Sequence, residues 1–387
     1  MKVGLFDHVE QTGDRSLATI FDERLRFAQL ADEAGFYCLH VAEHHCTPLN
    51  MVPVPGVYLG AVARLTKRLR FGPLCYLLPL YSPLRLIEEI AMLDHLSRGR
   101  MEIGVGRGVS PFELNYHKVD HADSRNIFFD AYECLVKGLT SEKLTHDGPY
   151  YKYTDVPMAL RPLQRPYPAF WYGSSNEIGA TWAGEQGMHF TANGGTAQAK
   201  VNISAYRAAL EKRGGVAQPK AEFKGGAAIG QLRHILVADT DEEARRIMKP
   251  AFEHHLASLN YIRNLNGSTE FTARLNVHRG VDFESCELNG MVIAGSPATV
   301  IAKLTEQVGE LGTNYLLAYM MFGNLSFDDG LRSMQLFSTA VLPMAMLAAI
   351  ARMARPAPAT APKLPNTPSS CEPCWPSATR AFWPEPT

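Results

Sequence analysis

Phe36-Tyr37-Cys38-Leu39-His40-Val41-Ala42-Glu43-His44-His45 decides how this chain folds: seven residues form an apolar, β-prone run and the last three are titratable. The stretch also contains His40-Val-Ala-Glu43-His44, the HxxEH spacing of one class of zinc proteases. On a helix, His40 and His44 would share one face and one metal; on a strand, four residues span about 13 Å, too far for a single zinc ion. Gly35 before the run, together with its aromatic and β-branched content, favours the strand. A buried strand that ends in Glu43-His44-His45 puts these groups where parallel α/β folds do chemistry. A histidine pair satisfied by local hydrogen bonds accounts for the same residues without chemistry.

Just upstream, Phe27, Leu30, Ala31 and Ala34 recur at spacings of three and four, so Ile20 to Ala34 reads as a helix with one apolar face, stopped by Gly35. The same helix-and-strand alternation continues along the chain. Strand candidates are Val3 to Phe6, Tyr37 to Ala42, Leu69 to Leu77, Met101 to Val105, Ala169 to Tyr172, His189 to Ala192, Ile229 to Val237 and Tyr315 to Met320. Between them lie helical patterns at Pro83 to Leu96, Ser124 to Leu139, Asn176 to Gln186, Lys200 to Arg213, Asp241 to Leu256 and Ala298 to Leu311. This rhythm argues a parallel sheet with helical crossovers. Eight such strands close most simply into an α/β fold of (β/α)8 TIM-barrel type.

Two segments break the pattern. Ser258 to Gly295 is polar without a long periodic run, which predicts an insertion between strands 7 and 8 that serves as a lid. Residues 351–387 are rich in proline and serine and cannot bury enough apolar surface to fold, so they read as a disordered tail after a barrel domain spanning 1–350.

Composition narrows the function. With 46% hydrophobic residues, 20% charged residues and a net charge of −1, nothing favours nucleic acid or an anionic membrane, and a small-molecule ligand is the default. The N-terminus lacks the basic start and apolar core of a signal peptide, which predicts a cytoplasmic protein. The most apolar late stretch, Ala340 to Ala351, is too short to span a bilayer and contains Pro343, so it reads as a closing helix. Seven scattered cysteines predict thiols, and Cys371-Glu-Pro-Cys374 is one CxxC where a closed zinc site needs four ligands, so no metal is expected.

Two further motifs end strands in polar residues. Met101-Glu-Ile-Gly104-Val-Gly106-Arg107-Gly108-Val109-Ser110 is a glycine-rich turn with an embedded guanidinium, suited to a phosphate; it is neither a GxGxxG fingerprint nor a P-loop. Trp171-Tyr-Gly-Ser174-Ser175-Asn176 opens a helix, where free backbone N–H groups form an anion site, and where a plain helix cap explains the same side chains.

These residues carry a resemblance. Residues 1 to about 350 resemble the bacterial luciferase-like family of flavin-dependent oxidoreductases, most strongly in Ala-Asp-Glu-Ala-Gly-Phe, Ala-Glu-His-His and Asp94-His-Leu-Ser-Arg-Gly-Arg-Met-Glu-Ile-Gly-Val-Gly-Arg-Gly108. The resemblance implies a (β/α)8 barrel that uses reduced FMN, delivered by a separate flavin reductase, and O₂ to oxidise a small organic substrate such as an aldehyde through a flavin peroxide. It implies that His44 is the active-site histidine at the reacting edge of the flavin. Arg107 falls on the phosphate-binding arginine, Ser174, Ser175 and Asn176 on the loop that completes that site, and Arg125 on a second basic residue near it. Leu74-Cys75 falls where relatives place a non-prolyl cis peptide against the flavin ring. Light-emitting chains carry a cysteine where Gly106 stands and an aromatic residue where Ser110 stands, so non-emitting monooxygenases are the nearer model. Hydride transfer with F420, a non-catalytic flavin-binding partner subunit, and dimerisation through outer helices also occur among the relatives.

Overall fold

The computed structural model describes residues 1–13, 15–267 and 281–343. Its strands are β1 (Lys2–Asp7), β2 (Cys38–Val41), β3 (Arg70–Pro73), β4 (Tyr76–Leu77), β5 (Ile103–Gly106), β6 (Lys143–Asp147), β7 (Lys152–Pro157), β8 (Phe170–Ser174), β9 (His189–Ala192), β10 (Ile229–Val237), β11 (Val292–Gly295) and β12 (Tyr315–Tyr319). One parallel sheet runs β3-β2-β1-β12-β10-β9-β8-β5-β4. An isolated parallel bridge between Phe71 and Met101 brings its two ends together, giving the TIM barrel expected of the alternation. All eight expected strands lie in this wall. β2, β5, β9 and β12 are buried along their whole length, as strands covered on both faces must be.

The helices are α1 (Leu17–Ala34), α2 (Pro55–Leu65), α3 (Pro83–Ser97), α4 (Pro111–Tyr116), α5 (Ser124–Thr140), α6 (Glu177–Gln186), α7 (Thr196–Arg213) and α8 (Asp241–Asn266), then Phe283–Leu288, Pro297–Leu311 and Phe327–Leu336. Local chemistry sets their ends. Ser16 caps α1 by accepting from the Thr19 N–H, Phe27, Ala28 and Ala31 turn inward, and Gly35 stops the helix at φ 85°.

Two sequence readings need correction, and two further elements went unread. Leu69 to Leu77 is two strands, β3 and β4, divided at a cis Leu74–Cys75 peptide. A β6–β7 antiparallel hairpin follows α5 and lies outside the barrel sheet. The segment 258–295 is more regular than its polarity implied: α8 continues to Asn266, Phe283–Leu288 is a helix with a capping box, and β11 pairs in parallel with the far half of β10. The buried side of α8 there consists of His255, Ser258 and Ile262, so no apolar period marked it. Finally, α2, which begins at Pro55, is a proline-initiated helix that the sequence reading did not identify. The centre of the expected lid, 268–280, and the tail 351–387 lie outside the described residues. No described helix is long and apolar enough to cross a membrane, and the cysteines at 38, 46, 75, 134 and 286 are thiols.

Close approach of β3 to β5 requires glycine. A Cβ on Gly104 would stand 2.2 Å from the Pro73 carbonyl oxygen, and one on Gly72 would stand 2.1 Å from that of Glu102. Gly104→Ala is expected to cost about 1–3 kcal/mol through overpacking against backbone. A urea midpoint equal to that of the wild type would contradict this.

At the amino-terminal end of the barrel, the fully buried Glu102 carboxylate accepts from Trp171 Nε1 at 2.7 Å, from Lys220 Nζ at 2.6 Å and from Arg70 Nε. Burial alone would raise its pKa, but the Arg70 and Lys220 charges hold it at about 2. His40 lies above this cluster, its ring 4.9 Å from that of Trp171, and burial lowers its pKa to about 4. His40 is therefore a neutral interior residue of β2, packed among core rings.

Candidate active site

The carboxyl ends of the strands gather the polar groups the sequence singled out. His44, just past β2, is partly buried, and its Nδ1 lies 3.2 Å from Glu113 Oε1; the other Glu113 oxygen accepts the His45 backbone N–H at 2.8 Å. Glu113 is delivered by α4, whose start is capped by Ser110 accepting from the Glu113 N–H. Burial on its own would lower the His44 pKa, but the Glu113 charge and hydrogen bond, with a contribution from Glu43, carry it above 6.5. His44 is thus held towards its protonated form near neutral pH.

Glu43 and His45 support this arrangement. His45 Nε2 lies 3.0 Å from Glu43 Oε1, and Glu43 Oε2 accepts the Leu77 N–H and the Tyr81 hydroxyl at 3.2 and 2.8 Å. The loop after β2 is thereby tied to β4 and the turn beyond it. The histidine pair is indeed locally hydrogen-bonded, yet His44 keeps 23% of its side chain open.

Arg107 leaves the end of β5 and donates from Nη1 to Ser124 Oγ at 3.2 Å, with His121 Nε2 at 3.4 Å. It forms no ion pair with a carboxylate among the described residues. Burial lowers its pKa, and the nearby Arg125 charge lowers it further. His121 is lowered in turn by burial, by Arg107 and by Arg125. Three basic side chains thus meet at the start of α5, a donor set that fits a phosphate dianion. The carboxyl ends of β5 and β8 flank this spot, and Tyr172 on β8 is electrostatically coupled to Arg107.

The β8–α6 turn is built mainly by local bonds. Asn176 caps α6 by accepting from the Gly179 N–H at 2.9 Å, while Ser174 Oγ donates to the Asn176 carbonyl and accepts its N–H. Their side chains therefore serve the cap, and the exposed Ser175 is the one left outward. Gly106 answers to packing: a Cβ there would stand 2.1 Å from Cys75 Sγ, so the space beside Leu74–Cys75 is already filled. The cis geometry implied by the resemblance at Leu74–Cys75 is present.

A second polar group at the same end went unread in the sequence. His8 follows β1, and its ring stacks on that of His44 with centroids 5.5 Å apart and planes at 26°. Its Nδ1 lies 2.9 Å from the Tyr319 hydroxyl, which donates to Glu10 Oε1 at 2.8 Å. The same Glu10 oxygen accepts the Gly323 N–H at 2.9 Å and lies 2.7 Å from His255 Nδ1. His8, Glu10 and His255 have the spacing of potential metal ligands. Here Glu10 Oε1 is taken up by three partners and the Tyr319 hydroxyl stands between His8 and Glu10, while Glu10 Oε2 is buried without a hydrogen-bond partner.

Only one of these additional residues had a local signal. Ser110-Pro-Phe-Glu113 matches the S-x-x-E pattern of a helix start immediately after a strand end, a signal that would bring Glu113 near Arg107 but not onto His44. His8 ends the first strand, while Tyr319 and His255 are joined to it only by the closure of the barrel.

Comparison with known proteins agrees with this geometry. Residues 1–315 match the model of the luciferase-like monooxygenase family. An uncharacterized protein of Sinorhizobium fredii is 35% identical over 85% of this chain and 92% of its own length. The oxygenase component of a flavin-dependent trigonelline monooxygenase from Acinetobacter baylyi is 27% identical over 63% of this chain and 67% of its own length. Among solved structures, the oxygenating constituent of 3,6-diketocamphane monooxygenase from Pseudomonas putida, a Type II Baeyer-Villiger monooxygenase in complex with FMN, superposes with a TM-score of 0.71. It is 23% identical, with 89% of this chain and 98% of that one covered. With a family match over residues 1–315 and a relative 35% identical over most of its length, this chain belongs to the luciferase-like monooxygenases.

Proposed function

We propose that the protein is the oxygenase of a two-component system: it takes reduced FMN from a separate reductase and, with O₂, oxygenates a small organic substrate. The observation that carries this reading is Arg107, a partly buried guanidinium with no carboxylate partner among the described residues, set beside His121 and close to Arg125. Such a cation at strand ends matches the terminal phosphate of FMN in charge and geometry. Reduced FMN, when bound, supplies the electrons and activates O₂. Arg107, Arg125 and Ser175 hold the phosphate end, Leu74-Cys75 lies along the path towards His44, and His44 holds a proton on Nε2 for delivery into the mouth. Non-emitting oxygenation fits Gly106 and Ser110, and the relative from Acinetobacter baylyi is likewise an oxygenase component.

A dimer belongs to the same reading. α3 leaves Met92 and Leu96 exposed on a groove of about 630 Å³ between it and α2, and α2 also leaves Val57 exposed.

Titration with FMN and F420, in both redox states, tests the cofactor. Arg107→Ala is expected to weaken FMN binding by about 1.5–3 kcal/mol, or roughly 10- to 150-fold in Kd, the value of hydrogen bonds to a charged group. Equal affinity in the variant would remove the phosphate assignment. Tighter binding of F420 than of FMN would replace oxygenation by hydride transfer.

A further inference from the structure

His8 and His44 stack at the barrel mouth, but their partners differ in kind. Nδ1 of His44 faces a carboxylate, Glu113, whereas Nδ1 of His8 faces a phenol, Tyr319. We infer that His8 is the proton acceptor of this mouth and His44 its proton donor, with the tautomer of His8 set by Glu10 through Tyr319.

The assignment follows from counting hydrogens. Glu10 is fully buried, and its Oε1 has three donors around it, the Tyr319 hydroxyl, the Gly323 N–H and His255 Nδ1. Burial would raise the carboxyl's pKa, but these partners hold it below 4.5, so Glu10 is an anion. Tyr319 has one hydroxyl hydrogen and gives it to that anion. His8 Nδ1 must then carry the hydrogen it shares with the phenol oxygen, which leaves the lone pair of a neutral imidazole on Nε2. Nε2 makes no hydrogen bond among the described residues, and His8 keeps 8% of its surface open.

The rings around His8 keep it neutral at rest, so that its Nε2 lone pair is free to accept. Phe6 from β1, His44 from the end of β2, His255 from α8 and Tyr319 from β12 pack on it, and His234 from β10 packs behind, on Tyr319 and His255. Burial and the charges of His44, His255 and His234 push its pKa well below 6.5. Glu10 reaches His8 through the Tyr319 hydroxyl and not by direct contact, and Asp7, at the end of β1, acts on Tyr319 and is coupled by charge to Glu10. His44 receives the opposite treatment from Glu113. Two stacked imidazoles with divergent environments divide naturally into an acid and a base. A proton taken up at Nε2 of His8 and one released from Nε2 of His44 leave the total at the mouth unchanged.

Only the role in turnover rests on the oxygenase reading; the tautomer is a property of the protein itself. Long-range ¹H–¹⁵N correlation spectra of the full chain with ¹⁵N-labelled histidine read the tautomer directly, with His8 and His44 assigned from His8→Gln and His44→Gln. His8 is expected as the Nδ1–H tautomer from pH 6 to 8, while His44 is protonated on both nitrogens at pH 6.5. Tyr319→Phe is expected to abolish the Nδ1–H preference of His8 while leaving the His44 signals in place. An Nε2–H tautomer in the wild type, or a His8 midpoint near 6.5, would overturn the inference. In turnover, His8→Gln should lower kcat at least 10-fold with FMN Kd within twofold, and an unchanged kcat would also overturn it. If the wild type bound no flavin, the oxygenase reading would fail while the tautomer result stood.

Discussion

Replacing His44 by alanine is expected to lower turnover by roughly 10²–10⁴-fold, the usual contribution of a positioned acid or base, with little change in FMN affinity. The separation of effects comes from geometry. His44 lies past β2 and is held by Glu113, whereas Arg107 lies past β5 and is held by Ser124 and His121. Glu113→Gln should act on the same step by another route. Without that carboxylate, burial dominates and the His44 pKa falls, so the alkaline limb of the rate profile moves to lower pH. Steady-state oxygen uptake with a reductase and a responsive substrate, measured across pH, reads both effects. Unchanged turnover in His44→Ala would remove the residue from the chemistry.

The largest loss of stability is expected at the other end of the barrel. Glu102→Ala would leave Arg70 and Lys220 without their shared carboxylate and the Trp171 indole N–H without its acceptor. Removing one member of a buried ionic group costs about 3–5 kcal/mol because the remaining charges stay desolvated. Glu102→Gln keeps an acceptor for Trp171 and should cost less. Chemical denaturation at pH 7 measures both, and wild-type stability in the alanine variant would refute the argument. The pH dependence has a definite sign. The folded protein holds this carboxyl at about 2, against 4.5 without the fold, so the unfolded chain takes up the proton first as pH falls. The contribution is complete above about pH 4.5 and drains away between there and about pH 2.

How far the sequence reaches is visible in individual residues. The strand reading of Phe36 to Ala42 holds in β2, because aromatic and β-branched side chains after Gly35 act through their nearest neighbours. The stop at Gly35, the cap at Asn176 and the position of Arg107 at a strand end hold for the same local reason. Where local signals were mixed, the reading failed. α2, which opens with Pro55-Gly56, went unread, and the polar buried side of α8 concealed its last turns.

The sequence by itself thus determined the parallel barrel, the strand that carries His40 and the strand ends that carry His44 and Arg107, since periodicity and turn chemistry are written in adjacent residues. Only the tertiary structure decided what those residues can do. Glu113 meets His44 from 69 positions away, Glu10 meets His255 from 245 and His8 meets Tyr319 from 311. The charge on a histidine depends on which groups surround it in space, and barrel closure chooses those groups without leaving a local pattern in the chain.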